Sequence, residues 1–107
     1  MGEIRETRKL LELLTGAGHP YFEFLRVPAV SAGLYVLAAG SEDRQNPHKE
    51  DEIYYVIRGE GKICLGTDER LVSEGSVIYV EASLEHRFFD IEEDLVVLVI
   101  FAPAESG

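Results

Sequence analysis

The chain has 107 residues, with 20 Asp and Glu against 10 Lys and Arg, a formal net charge of -10, 46% hydrophobic residues and a mean hydropathy of -0.02. That composition describes one soluble globular domain able to bury roughly 65% of its unfolded surface. Its acidic surface repels polyanions, which excludes nucleic acid and anionic membranes as partners and leaves room for a metal ion or a cationic ligand.

One cysteine, Cys64, excludes an intrachain disulfide and any four-thiolate or zinc-finger site, and it fits a reducing, cytoplasmic setting in which Cys64 is a small core residue. Ile4, Leu10, Leu11 and Leu14 fall near helical spacing among charged residues, with Gly16 and Gly18 as stops, so residues 3–15 are expected to form an amphipathic helix. This leucine cluster is too short for a signal peptide, and the run Leu95 to Pro103 is about half a bilayer span, so no targeting or membrane segment is expected. The organisation expected is a helical segment over 1–18 and a single barrel over 19–107.

Beyond His19-Pro20 the chain becomes short runs of β-branched and aromatic residues at 21–27, 31–39, 52–58, 61–65, 68–73, 76–80, 85–90 and 95–101. Gly59-Glu60-Gly61, Gly66-Thr67-Asp68, Glu74-Gly75 and Glu92-Glu93-Asp94 read as the turns between them. Many short strands in so small a domain predict an all-β sandwich or barrel. Glu52 to Ile57 and Leu95 to Phe101 carry apolar residues on both faces, so both faces need cover. The barrel interior covers one face, and the N-terminal helix or a second subunit in a homodimer covers the other; burial of both faces inside one sandwich is the alternative.

Chemistry rests on few residues. Of three histidines, His19 lies between helix and first strand and reads as a solvated loop residue. His48 precedes Lys49-Glu50-Asp51-Glu52; in one straight strand His48 and Glu52 would stand about 13 Å apart, whereas a turn over 49–51 would bring them together. Glu52 shares a strand face with Tyr54 and Val56, and a carboxylate facing inward needs a partner. By alternation His86, Phe88 and Asp90 share another inward face. Two imidazoles and one carboxylate converging in a barrel would form a three-ligand site with open positions, suited to Fe, Mn, Ni, Co or Zn. Taken one at a time, a histidine on a strand is more often a hydrogen-bonded core or rim residue than a ligand, and Glu52 reads equally as a carboxylate at the strand mouth paired with Arg58 or Arg87.

These two segments resemble the motifs of the cupin family, small β-barrels of the jelly-roll class. The first motif, His-x-His, three or four residues, Glu, six residues, Gly, is matched by Asn46-x-His48, Glu52 and Gly59. The second, Gly, five residues, Pro-x-Gly, two residues, His, three residues, Asn, is matched by Gly75, Glu81-Ala82-Ser83, His86 and Asp90. The resemblance covers roughly residues 30 to 101 and implies a cupin jelly-roll barrel with one short N-terminal helix. It implies His48, Glu52 and His86 as ligands of one divalent transition metal (Fe, Mn, Ni or Zn), with Asn46 in place of the first histidine and Gln45 as a fourth ligand. Asp90 in place of Asn would accept hydrogen bonds beside the site, and the altered Pro-x-Gly changes the turn before His86.

The implied activity is that of a metal-dependent dioxygenase or isomerase acting on a small molecule. Tyr54, Tyr79 and Phe88 would line the cup, and a Tyr54 phenol could orient substrate or pass a proton. A non-catalytic small-ligand binder and a structural dimer with His48, Glu52 and His86 in a buried hydrogen-bonded cluster are the alternatives. Acidic residues around both motifs favour a divalent cation and disfavour phosphorylated ligands.

Overall fold

The computed structural model describes residues 2–17, 21–43 and 47–106, with the side chains of 14–17 left aside. His19, Gln45 and Asn46 therefore lie outside the described residues. Helix α1 spans Thr7–Ala17, and strands follow as β1 (Tyr21–Val27), β2 (Val30–Leu37), β3 (Asp51–Leu65), β4 (Asp68–Ser73), β5 (Val77–Val80) and β6 (His86–Ala102). They form one antiparallel sheet in the order β1-β2-β6-β3-β4, with β5 also pairing β3. The sheet folds over itself as a jelly-roll barrel with one short N-terminal helix, the fold class expected from the sequence.

The helix begins four residues later than the apolar spacing suggests. The Glu6 carbonyl accepts hydrogen bonds from the amides of Lys9 and Leu10, which fixes the first turn there. Ile4 consequently precedes the helix and is exposed rather than part of its buried stripe. Leu10 is the helical residue that enters the core, packing on Leu34 within a cluster that includes Phe22, Val36, Ile57 and Leu98. Burying a leucine of this kind contributes about 2 kcal/mol.

Eight expected strand runs become six strands because two of the expected turns are bends within paired strands. Residues 52–58 and 61–65 join in β3, whose N-terminal half pairs β5 and the end of β6, and whose C-terminal half pairs β4 and the start of β6. The β3–β6 register shifts at Val56/Arg58, Arg58/Glu60 and Glu60/Lys62, yet Glu60 still pairs Glu93, so Glu92 to Asp94 also stays in a strand. These irregularities increase twist and let one long pair wrap a core. Gly59 makes the bend possible: its φ is +106°, and a Cβ there would collide with the Asp94 carbonyl. Tyr54, Val56, Ile63, Phe88, Leu95 and Val97 fill the interior. Cys64 is half-buried, and its thiol donates to the Gly66 carbonyl at 3.1 Å.

The second apolar face is covered in two different ways. Helix α1 takes the end around Ile57 and Leu98. Ile53 and Tyr55 of β3, with their register partners Tyr79 and Val77 of β5, remain as an exposed outer strip.

Gly59→Ala is expected to lower unfolding stability by about 2–4 kcal/mol, because it combines a left-handed backbone with a backbone collision. Urea denaturation measures this, and an unchanged midpoint would contradict the bend described.

Candidate metal centre

Alternation along the first half of β3 sends Glu52, Tyr54 and Val56 inward and Ile53 and Tyr55 outward. Glu52 is 1% exposed, and its neighbours across the sheet are Val80 and Phe101, both buried and apolar. His48 comes from the segment just before β3, where residues 49 and 50 bend, so the turn expected from the sequence does return it to Glu52. Its ring packs edge-on against Phe101 at 4.8 Å between centroids.

His86 opens β6 directly after the turn at 81–84. Ser83 in that turn has a φ of 67°, the left-handed conformation that explains a glycine in the motif, and a non-glycine residue there costs about 1 kcal/mol. The Ser83 amide donates to the His48 carbonyl at 2.6 Å, and the Ala82 amide donates to Asp51 Oδ1 at 2.9 Å. The altered turn thus fastens the segment carrying His86 to the segment carrying His48 and Glu52.

Nδ1 of His86 lies 2.8 Å from the Leu84 carbonyl. A carbonyl accepts only from N–H, so Nδ1 carries the proton of the neutral ring and the Nε2 lone pair faces the barrel. There Nε2 stands 3.1 Å from the Tyr54 hydroxyl, which donates to it, and 3.2 Å from Glu52 Oε1. Nε2 and Glu52 Oε1 are in close contact, and neither Glu52 oxygen has a hydrogen-bond partner among the described residues. One donor atom each from His48, Glu52 and His86 lies within 4.8 Å of the others. Burial pulls the His86 imidazole down, but the Glu52 carboxylate, the Leu84 carbonyl and Asp43 outweigh it and hold its pKa above the ordinary value.

This donor set suits a divalent transition metal. It offers one lone pair from a second-atom-oriented imidazole, a second imidazole, and a carboxylate whose oxygens are buried and bonded to no donor among the described residues. Among the described residues Glu52 pairs with neither Arg58 nor Arg87; its close ionisable neighbour is His86.

Of the residues expected to line the cup, Tyr54 and Phe88 are fully buried with rings edge-to-face at 5.0 Å. Tyr79 is not in the cup: it alternates outward on β5 and is 59% exposed. Asp90 also leaves the inward face expected for it. Its φ of 45° breaks the alternation, Ile91 turns inward in its place, and Asp90 makes a 3.4 Å contact with Lys62 at the surface. Gln45, expected as a fourth ligand, lies outside the described residues.

Asp43 has a structural role that the sequence reading missed. It is buried, accepts from the Tyr35 hydroxyl at 2.8 Å and from the Phe88 amide at 2.9 Å, and so ties the segment after β2 to β6 two residues beyond His86. Burial and the Asp43 carboxylate together push the Tyr35 phenol well above its ordinary value. An aspartate in a polar loop gives no sign of burial, because alternation applies only within strands.

Comparison with known proteins gives a consistent picture. The cupin domain family matches residues 33–101. A Streptomyces coelicolor protein of uncharacterised function is 49% identical over 86 residues, covering 80% of this chain and 82% of that one. Among solved structures, TT1209 from Thermus thermophilus superposes with a TM-score of 0.75 at 21% identity, over 96% of this chain and 99% of that one. KdgF from Halomonas sp. superposes with a TM-score of 0.71 at 23% identity, over 78% and 76% of the two chains. At these identities the two structures speak for the fold alone.

Two outcomes are expected. The His86 imidazole of metal-free protein, followed by NMR, titrates above an unperturbed histidine, and Glu52→Gln lowers its midpoint; an unchanged midpoint would contradict the contact. Because the folded pKa is raised, the stabilisation from this group is complete below the unfolded value of about 6.5 and is lost as pH rises through the folded value. Asp43→Ala leaves the Phe88 amide and Tyr35 hydroxyl without their acceptor and is expected to cost about 2–3 kcal/mol by chemical denaturation. A loss below about 0.5 kcal/mol would show that these bonds do not fasten β6.

Proposed function

The chain belongs to the cupin family, and from that premise we propose that it is a mononuclear metal protein that binds a small organic molecule in its barrel. His48, Glu52 and His86 would hold one divalent transition metal, Fe, Mn, Ni or Zn. The observation that carries this reading is the Glu52 carboxylate, buried among apolar neighbours with no hydrogen-bond donor on either oxygen among the described residues. A purely structural role would have been met by a hydrogen-bonded cluster, and Glu52 is not bonded into one there.

When bound, such an ion supplies Lewis-acid polarisation and, if iron or manganese, redox capacity. The protein's own residues do the rest. The Leu84 carbonyl holds the His86 ring so that Nε2 faces inward. Phe88 and Val80 wall the site against water, and the Tyr54 hydroxyl stands where it can hold a proton at Oη beside bound substrate. A three-residue set leaves open positions for a ligand. The acidic surroundings favour an unphosphorylated molecule. The catalytic form of the proposal is a dioxygenase or isomerase; the second form is a binder without turnover.

A homodimer is the reading of the outer strip. Ile53, Tyr55, Val77 and Tyr79 are between 42% and 70% exposed on paired strands and form one mostly apolar outer strip, the kind of patch through which chains associate. Light scattering that finds a monomer across micromolar concentrations would contradict it. In the structure, no helix among the described residues is long and apolar enough to cross a membrane.

Metal analysis of protein purified without a histidine tag is expected to give near one equivalent per chain. His48→Ala and His86→Ala are each expected to abolish uptake of added Mn, Fe, Ni or Zn in titration. Wild-type protein that takes up none of them would contradict the metal reading, and unchanged affinity in either variant would remove that residue from the site. Oxygen consumption with small diketones, thiols and flavonols then separates a dioxygenase from the non-oxidative readings.

A further inference from the structure

We propose that the Tyr21 hydroxyl is a ligand contact of this barrel, donating to an uncharged carbonyl oxygen of a short oxo acid whose carboxylate is held at the metal. The inference rests on the metal reading above and deepens it by naming the ligand class.

The buried side-chain oxygens without a hydrogen-bond partner among the described residues belong to two residues, Glu52 and Tyr21. Tyr21 opens β1, and its ring packs on the interior cluster, edge-on to Tyr35 at 6.3 Å between centroids, whereas the next residue, Phe22, packs on the helix side. The tip of the Tyr21 ring lies over Gly33 of β2, where a Cβ would collide with the hydroxyl. Glycine weakens a strand interior and marks a place where another group must come close, which here is the phenol. Gly33 and Tyr54 both pair with Val99 of β6. The hydroxyl and the strand that carries Glu52 are therefore two strand spacings apart, about 10 Å along the sheet.

Filling the barrel does not require this hydroxyl. A phenylalanine would make the same ring contacts without burying an unpaired oxygen, which is costly. A partner that arrives with a ligand accounts for it. Burial and the carboxylates of Glu23, Glu105 and Glu52 outweigh Arg26 and push the phenol well above its ordinary value, so it stays protonated and can donate. The same carboxylates make this place unfavourable for an anion, so the fitting acceptor is an uncharged oxygen such as that of a ketone. The metal end differs, because a divalent ion beside the single carboxylate of Glu52 keeps a positive charge and takes an anionic oxygen. A ketone at one end and a carboxylate at the other make an oxo acid.

The probes are 4-oxopentanoate and 5-oxohexanoate, each compared with its parent pentanoate or hexanoate by isothermal calorimetry. They are titrated into full-length protein loaded with the first of zinc, nickel, manganese and iron that it takes up. Wild type is expected to bind at least one oxo acid about threefold or more tighter than its parent. Tyr21→Phe is expected to bind oxo acid and parent alike, and Tyr35→Phe to keep the preference. No preference in wild type, or one that persists in Tyr21→Phe, would overturn the assignment while leaving the metal site standing. Uptake of none of the four metals would overturn both. In metal-free protein, urea denaturation is expected to find Tyr21→Phe at least as stable as wild type, because the hydroxyl gives up no bond. A midpoint well below that of wild type, or failure of the variant to fold, would show that the hydroxyl serves the fold and would overturn the proposal.

Discussion

A carboxylate buried in an apolar barrel without a hydrogen-bond donor is costly, and the architecture of this protein is organised around one. An isolated buried charge of that kind costs several kcal/mol. Among the described residues three carboxylates are buried, and their surroundings differ. Asp43 is met by the Tyr35 hydroxyl and the Phe88 amide, and Glu50 by the Ser106 hydroxyl at 2.7 Å. Glu52, the most buried of the three, has only the His86 ring at ion-pairing distance and no hydrogen-bond donor among the described residues. The proposed cation, shared with His48 and His86, would account for that difference.

The barrel sustains this arrangement through a few fastenings around a long strand pair. Glu52 sits near the start of β3, flanked in register by Val80 and Phe101, so the sheet excludes water on both sides of it. The turn before His86 is tied to the His48 segment by the Ser83 amide, and the strand after His86 is tied by Asp43 to the segment following β2. These hydrogen bonds hold the imidazoles in place before any ligand arrives, so little ordering entropy is left to lose on binding. The Leu84 carbonyl completes the arrangement by choosing which nitrogen of His86 faces inward.

Much of this was legible in the sequence, for reasons that differ by residue. His48, Glu52 and His86 could be found because motif spacing survives even where identities change, and Glu52 because a carboxylate shares a face with Tyr54 and Val56. The inward placement of Tyr54 and Phe88 followed from strand alternation alone. Alternation failed at Asp90, where a left-handed backbone inserts a residue and passes the inward position to Ile91. Tyr79 faces outward because Ile78 and Val80 on either side of it along β5 pack inward. Gly59-Glu60-Gly61 has turn composition but forms a bend, because Gly59 lies against the Asp94 backbone of its partner strand and that contact is distant in sequence. Asp43 was hidden for the same reason: its two partners lie 8 and 45 residues away.

The central claim, that the fold tolerates Glu52 because a metal compensates it, is tested most directly by chemical denaturation of wild type and Glu52→Gln, each with and without added zinc. The pH should lie above the His86 titration, so that the imidazole is neutral. Without metal, Glu52→Gln should be at least as stable as wild type, because it removes an uncompensated buried charge. With zinc at about a hundred times its dissociation constant, wild type should gain about 2.7 kcal/mol and the variant far less. A metal-free wild type markedly more stable than Glu52→Gln, with zinc shifting neither protein, would contradict the account.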